Sequence, residues 1–399
     1  MPMTRVLWLL TATCFGLSLV VILTTYRYQS GALGSYTKLY EEAKLYVDET
    51  KNITNAWRAK SPTTKRILLY TTIYGSKLNV KRRIEVLESM SRSQLHCEWT
   101  TDKSLYSKSD AVVFHLYNNL NRKDFVLSKL PTRHSYDQLW VLMIQEPQSF
   151  YYPNQLKQLN NMFNMTVTFQ SDSDIVIPYG TYEKLVSPQI NKKNKNNFAQ
   201  RSKLVVWLVS NCVTSSRREE YVESLKDFID IDIYGDCSKH HLKGFKYKKG
   251  MASKYKFYLA FENADCDDYV TEKFWSNLML GMIPIVRGNR VNYKTLAPPN
   301  SYIHADSFAT FGDLAQHLHD VASNETLFNK YHKWRDSYRA LFKPNRQQWM
   351  MELCAKLQTP IRQSIDVYKH FSENTRCFTY LSEKGRDRKG EHMEDITRL

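Results

Sequence analysis

Residues 255–288 read YKFYLAFENADCDDYVTEKFWSNLMLGMIPIVRG, and the fold is decided there. Tyr255 to Phe261 is an unbroken apolar and aromatic run of strand length, the pattern of a parallel strand covered on both faces. A polar turn, Asn263 to Asp268, leads to Thr271, whose hydroxyl can cap a helix. Phe274, Trp275, Leu278 and Met279 then recur at helical spacing, and Gly281 closes that helix. Met282 to Val286 is a second short apolar run, so the stretch predicts strand, helix, strand with a right-handed crossover. In open α/β sheets ligands bind where the strand end meets the next helix N-terminus, and the free helix N–H groups there suit an anion. Lys273 adds a full charge to that place. A Glu-Lys pair such as Glu272-Lys273 can also serve only as dipole complement and solvated charge.

Outward from this unit the pattern repeats. Ile67 to Thr72, Ala111 to His115 and Leu139 to Ile144 are apolar runs separated by helical stretches, and the region ends at Ile175-Val-Ile-Pro-Tyr-Gly180. Asn191 to Asn197 is charged and poor in apolar residues, a linker. Leu204 to Ser210 opens a second α/β layer, continued by a helix over 219–228 and a strand over 231–235, and a further helix is expected over 311–321. The expected organisation is a cytosolic tail (1–5), an anchor (6–26), a stem (27–64), an N-terminal Rossmann-like domain (65–190), a linker (191–200), a second Rossmann-like domain (201–345) and a C-terminal extension (346–399).

The chain has 399 residues, 56 Lys plus Arg against 40 acids and a net charge of +16, which alone would raise nucleic-acid binding. The N-terminus points elsewhere. Residues 6–26 carry no charge between Arg5 and Arg27 and are long enough to span a bilayer as one helix, so a single-pass anchor with a luminal bulk is expected and no nucleic-acid partner. Sequons at Asn52, Asn164 and Asn324 agree with a lumen. Six of the seven cysteines lie beyond the anchor, where disulfides persist; their spacing leaves 15 pairings open. Cys212 and Cys237 flank one strand-helix-strand unit and are candidates for a bridge, as are Cys97 and Cys354, which would tie the C-terminal part to the first domain.

FYLAFEN, DYVTEKFW and IPIVRG together resemble the donor-binding signature of the α1,3-fucosyltransferase family, which transfers fucose from GDP-fucose. Asp172-Ser-Asp174-Ile-Val-Ile-Pro-Tyr179-Gly180 and Val206-Trp-Leu-Val-Ser210-Asn211 are similar to two further family motifs, and the resemblance runs from about residue 95 to about 340. It implies a GT-B architecture, two Rossmann-like domains facing a cleft, with the acceptor on the first and the nucleotide sugar on the second. It implies that Tyr179, Ser210, Asn211, Arg218, Tyr258, Asn263, Tyr269, Glu272 and Lys273 contact GDP-fucose, and that Glu146, in Gln145-Glu146-Pro147, is the catalytic carboxylate. The family's Ser two residues after that Glu is replaced here by Gln148. The Cys212 and Cys237 pattern is more similar to plant and invertebrate members, several of which fucosylate the N-glycan core, than to vertebrate ones.

The implied chemistry is coherent. Negative charge grows on the diphosphate as the glycosidic bond breaks, and Arg218, Lys273 and a helix terminus would stabilise it. Glu272 would accept ribose hydroxyls. A base on the opposite face, Glu146, would activate the GlcNAc hydroxyl of a glycan acceptor for inversion by single displacement. Asp172 and Asp174 invite a metal reading, but two carboxylates make a partial site and a turn role fits better. The expectation is therefore no bound metal and no tightly held cofactor, with stimulation by Mn²⁺ at most. His240-His241 and His317-Leu-His319 lack partners at metal spacing. Membership implies the Golgi membrane. The rival readings are an inactive, membrane-tethered glycan-binding protein of the same fold and a transferase for another nucleotide sugar.

Overall fold

A computed structural model describes residues 7–14, 17–24, 64–73, 97–116, 130–147, 151, 153–187, 198–239, 245–289, 291–342, 348–359, 361, 363–372 and 377–378. The tail 1–5, Asn52, almost all of the stem, the 191–197 run, His240-His241 and the charged end of the chain lie outside these residues.

The 6–26 stretch departs from the expected single helix. It forms two antiparallel strands, β1 (Leu7–Cys14) and β2 (Leu17–Thr24), in register from Leu7 opposite Thr24 to Cys14 opposite Leu17. Val20, Val21 and Ile22 with the interspersed threonines favour extended backbone, and each strand supplies the other's hydrogen bonds. Among the described residues no helix is long and apolar enough to cross a membrane.

The first large sheet is built from β3 (Lys65–Leu69), β4 (Cys97–Thr100), β5 (Ala111–His115), β6 (Leu139–Met143), β7 (Met165–Thr168) and β8 (Ile175–Val176). Its order is β4-β3-β5-β6-β7-β8, parallel throughout. Alternate residues of β5 and β6 point to opposite faces, and both faces are covered, which is why the runs read as continuously apolar. Leu156 of α1 (Pro153–Gln158) and Phe163 cover one face.

After β9 (Gly180–Lys184) the second sheet follows: β10 (Lys203–Leu208), β11 (Ile231–Tyr234), β12 (Tyr255–Leu259), β14 (Ile283–Val286) and β15 (Ile303–His304), with β13 (Asp265–Cys266) outside it. The order is β11-β10-β12-β14-β15, again all parallel. On one face α2 (Arg218–Leu225) buries Tyr221, Val222 and Leu225. On the other, α3 (Phe245–Ala252) and α4 (Glu272–Met279) bring Met251, Phe274, Trp275 and Leu278. Full burial of Phe274 and Trp275 contributes roughly 2–3 kcal/mol each. The helix α5 (Phe311–Ser323) begins in a capping box, Thr310 with Asp313, and adds Leu314, Leu318 and Val321 to the α2 face.

The chain then returns. β16 (Tyr338–Phe342) pairs antiparallel with β9. α6 (Gln348–Lys356) lays Trp349, Met350, Leu353 and Cys354 on the uncovered face of the first sheet, and α7 (Val367–Ser372) packs Val367 and Phe371 on the face of α1. β17 (Cys377–Phe378) comes back to pair with β13. Disulfides join Cys97 to Cys354, Cys212 to Cys237 and Cys266 to Cys377; the third was not among the expected pairs.

Candidate active site

In the second sheet the direction of winding reverses at β10, so the crevice beyond the C-terminal ends of β10 and β12 is the ligand position of such a sheet. Ser210 and Asn211 follow β10 there and are exposed, on a loop held by the Cys212–Cys237 bridge with Cα atoms 5.4 Å apart. Arg218 is buried. Its guanidinium donates to the carbonyls of Phe261 (2.8 Å) and Asn211 (3.0 Å) and to Glu219 Oε1 (3.2 Å), so it ties the ends of β10 and β12 together. Tyr258 lies within the core, its hydroxyl donating to the Leu208 carbonyl at 3.3 Å, and burial pushes its phenol up. Asn263 accepts from Ser216 N and Ser215 Oγ through its carbonyl, while its side-chain Oδ1 is buried with no hydrogen-bond partner among the described residues.

At the start of α4, Thr271 caps the helix, its hydroxyl accepting from Lys273 N at 3.4 Å. Glu262, absent from the expected site, sits beneath this turn. Its carboxylate accepts from Thr271 N (2.7 Å), Thr271 Oγ1 (2.8 Å) and Lys273 Nζ (2.8 Å). Glu262 is 3% exposed, and burial pushes its carboxyl up against the pull of Lys273. Burial alone would draw Lys273 down; Glu262 and Glu272 outweigh it and hold the ammonium above its ordinary range. Glu272 Oε1 is 3.5 Å from Lys273 Nζ, with its own side chain half-exposed. The visible signal for Glu262 was its place in FYLAFEN, an acid ending a buried strand beside a lysine-bearing helix.

Glu146 stands on the opposite side, three residues past β6, and parallel pairing extends to Ile144, whose N–H donates to the Val167 carbonyl. Tyr269, carried by the loop between β12 and α4, donates its hydroxyl to Glu146 Oε2 at 3.1 Å. Burial pushes the Glu146 carboxyl up to about 7, with the Tyr269 hydrogen bond and the Lys273 charge holding it lower than burial alone would. Tyr179 donates to the Gln145 carbonyl at 2.7 Å and meets the Tyr269 ring edge-on, 6.0 Å between centroids. The next residue, Gly180, packs its backbone against the Trp275 indole, and a Cβ there would lie 2.2 Å from the ring, so the position admits only glycine. Asp174 Oδ2 accepts from Thr166 N (2.7 Å) and Thr166 Oγ1 (3.0 Å), a turn role. Among the described residues no group of three or more His, Cys, Asp or Glu side chains is placed to hold a metal, and His317 shares a hydrogen bond with Tyr331.

The two sides thus bring Glu146 together with Tyr179, Tyr269, Glu272 and Lys273, keep Ser210 and Asn211 at the rim, and bond Arg218 and Tyr258 to backbone carbonyls beneath them. A carboxyl raised by burial, set opposite a helix N-terminus and a cation carried by the second parallel sheet, suits a transfer that needs a general base and releases an anionic leaving group. A family model described as glycosyltransferase family 10 (fucosyltransferase) C-term matches residues 198–375, and one described as fucosyltransferase, N-terminal, matches 62–180. The 4-galactosyl-N-acetylglucosaminide 3-alpha-L-fucosyltransferase FUT6 of Homo sapiens is 32% identical over 290 residues, 72% of this chain and 76% of that protein. The 3-galactosyl-N-acetylglucosaminide 4-alpha-L-fucosyltransferase FUT3 of Pan troglodytes is 33% identical over 299 residues, 73% and 74% of the two chains. A crystal structure of an alpha1,3-fucosyltransferase overlays with a TM-score of 0.49 at 15% identity, covering 78% of this chain and 93% of that one. The chain belongs to the glycosyltransferase family 10 fucosyltransferases.

Proposed function

We propose that this enzyme is an inverting α1,3-fucosyltransferase that moves L-fucose from GDP-fucose to a GlcNAc hydroxyl of a glycan on a glycoprotein or glycolipid. One observation carries the mechanism: Glu146, at the mouth of the first sheet, meets the loop that leads into α4 through the Tyr269 hydroxyl at 3.1 Å, and burial there pushes its carboxyl up to about 7, the range in which a general base works near neutral pH. Glu146 takes the proton of the attacking hydroxyl while the diphosphate leaves toward α4. Lys273, at the positive end of the α4 dipole, meets the growing negative charge, and Glu272, half-exposed, accepts hydroxyls of the donor. Arg218 supports the donor side by fixing the loops that carry Asn211 and Phe261. No step here requires a metal, and Mn²⁺ is expected to stimulate at most. The names of the two relatives, which act at the 3- or 4-position of GlcNAc, support the acceptor class.

The same reading assigns 65–190 to the acceptor side, 201–345 to the donor side, and places the enzyme at the Golgi membrane with its catalytic part in the lumen. Its supports are the sequons and three disulfides that fit an oxidising compartment. The test is Glu146→Gln assayed by initial rates with GDP-fucose, and with GDP-mannose as control, over a panel of GlcNAc-containing acceptors. Turnover is expected to fall by roughly 10²-fold or more with GDP affinity unchanged. A Gln variant as fast as the parent protein overturns the assignment of the base.

A further inference from the structure

We propose that Tyr269 is the positioning residue for the base: a tyrosine carried on the donor-side loop aims the Glu146 carboxylate, so the base is set only when the two sides of the cleft meet. The inference rests on the reading of Glu146 as base and adds to it a second residue from the other half of the molecule.

The geometry argues for it at each level. Among the described residues the hydrogen bond that fixes the Glu146 carboxylate comes from Tyr269, and it reaches Oε2 only, leaving Oε1 to receive a proton. A glutamate at a strand end has several soft torsions, and a single donor aims it only if that donor is itself immobile. Tyr269 meets that condition. It is 2% exposed, with its ring between Phe169, 5.0 Å away, and Tyr179, 6.0 Å away. The preceding residue, Asp268, crosses the cleft, accepting from Ser171 N at 2.8 Å, and holds a left-handed backbone with φ of 61°. Three residues before Tyr269, the Cys266–Cys377 bridge pins the start of the same loop to β17. Phe169 and Ser171 belong to the turn after β7, and Tyr179 holds the Gln145 carbonyl next to the base, so both sides of the cleft grip one phenol. A ring that served only to contact the nucleotide would not need its hydroxyl turned toward the opposite carboxylate.

The test uses Tyr269→Phe, which keeps the ring and its packing and removes the hydroxyl. The Tyr269 hydroxyl favours the charged form of Glu146, so its loss is expected to move the acid limb of the kcat/KM profile upward by about one pH unit. Turnover at pH 7 should fall by roughly 10-fold. Asp268→Gly tolerates the left-handed backbone, removes the bond to Ser171 and loosens the loop that carries Tyr269; it is expected to shift the same limb in the same direction by less, and decides the matter if Tyr269→Phe does not fold. A profile with an unmoved limb in both variants, in a background where Glu146→Gln is inactive, overturns the positioning role and leaves the base intact. An active Glu146→Gln removes the base itself.

Discussion

Lys273 Nζ lies 2.8 Å from Glu262 Oε2, and the two side chains are 18% and 2% exposed, so the cation expected to face the donor diphosphate is already half of a buried ion pair. Breaking such a pair leaves one charge stranded, at roughly 3–5 kcal/mol, whereas replacing both partners by apolar groups is often neutral. Lys273→Met and Glu262→Leu singly should therefore each lower stability by that order, and the double variant should recover only part of it, because Thr271 N and Thr271 Oγ1 lose the Glu262 acceptor. GDP binding separates fold from function: it should stay weak, by roughly 10-fold or more, in the double variant. Calorimetric GDP titration beside thermal melts makes the comparison, and normal GDP affinity in the double variant would show that Lys273 serves the fold alone.

The raised carboxyl of Glu146 predicts two pH effects of opposite benefit. As the base must be unprotonated, kcat/KM should rise with pH through about 7. Stability runs the other way. A carboxyl raised from 4.5 to about 7 contributes stability that is fully present below 4.5 and is lost as pH rises through 7. Glu146→Gln should therefore gain on the parent by on the order of 1–3 kcal/mol at about pH 8 and by little at about pH 4.5. Melts of both proteins at the two pH values check the sign; an equal gap at both would mean that folding leaves the Glu146 carboxyl unshifted.

Asn164 and Asn324 both lie in sequons but are built differently. Asn164 Oδ1 accepts from Trp140 N and Arg133 Nη1, each at 2.9 Å, and its Nδ2 donates to the Gln363 carbonyl at 3.1 Å. Asn324 is exposed and uses only its oxygen, capping the following helix at Leu327 N. Asn164→Ala is expected to destabilise protein made without glycans, on the order of 2 kcal/mol. Asn324→Ser keeps a capping oxygen while removing the sequon, so it should abolish a glycosidase-sensitive gel shift at little expense in stability.

The disulfides should divide by consequence. Cys97–Cys354 fastens α6 to the first sheet, and Cys97→Ser with Cys354→Ser should lower stability by about 2–5 kcal/mol. The Cys266–Cys377 pair adjoins the loop that carries Tyr269, so its double Ser variant should lose turnover out of proportion to its melting temperature. Measuring kcat and Tm on both variants decides, and parallel losses in the two would contradict a local role at Cys266.

The β12, α4 and β14 unit was legible because strands buried on both faces leave continuous apolar runs, and because Thr271 is a recognisable cap. What distance in the chain conceals was not legible. Tyr269 reads as one more aromatic until it meets Glu146, 123 residues earlier, and Cys266 finds Cys377 at a separation of 111. The polar segment Gly180–Lys184 carries no strand pattern, yet β16 makes it one. Arg218 reads as a free cation because nothing local shows the Phe261 carbonyl that takes it. The 6–26 run met a length criterion for a helix, and its β-branched content, the competing signal, matched the extended pairing instead.

The path of the chain through α6 has a consequence for how the protein is made. Trp349, Met350 and Leu353 cover Ile67, Leu69, Val113 and Val141, so one face of the first sheet is closed by residues that follow the entire second sheet. At roughly 5–20 residues per second of synthesis, the ribosome exposes that apolar face for on the order of ten seconds before its cover emerges. The N-terminal half is thus the last to be completed although it is the first to be translated, and a nascent chain is a client for holdase chaperones throughout that interval. A stop codon just ahead of Trp349 would spare every strand of both sheets and still leave the first one unable to close.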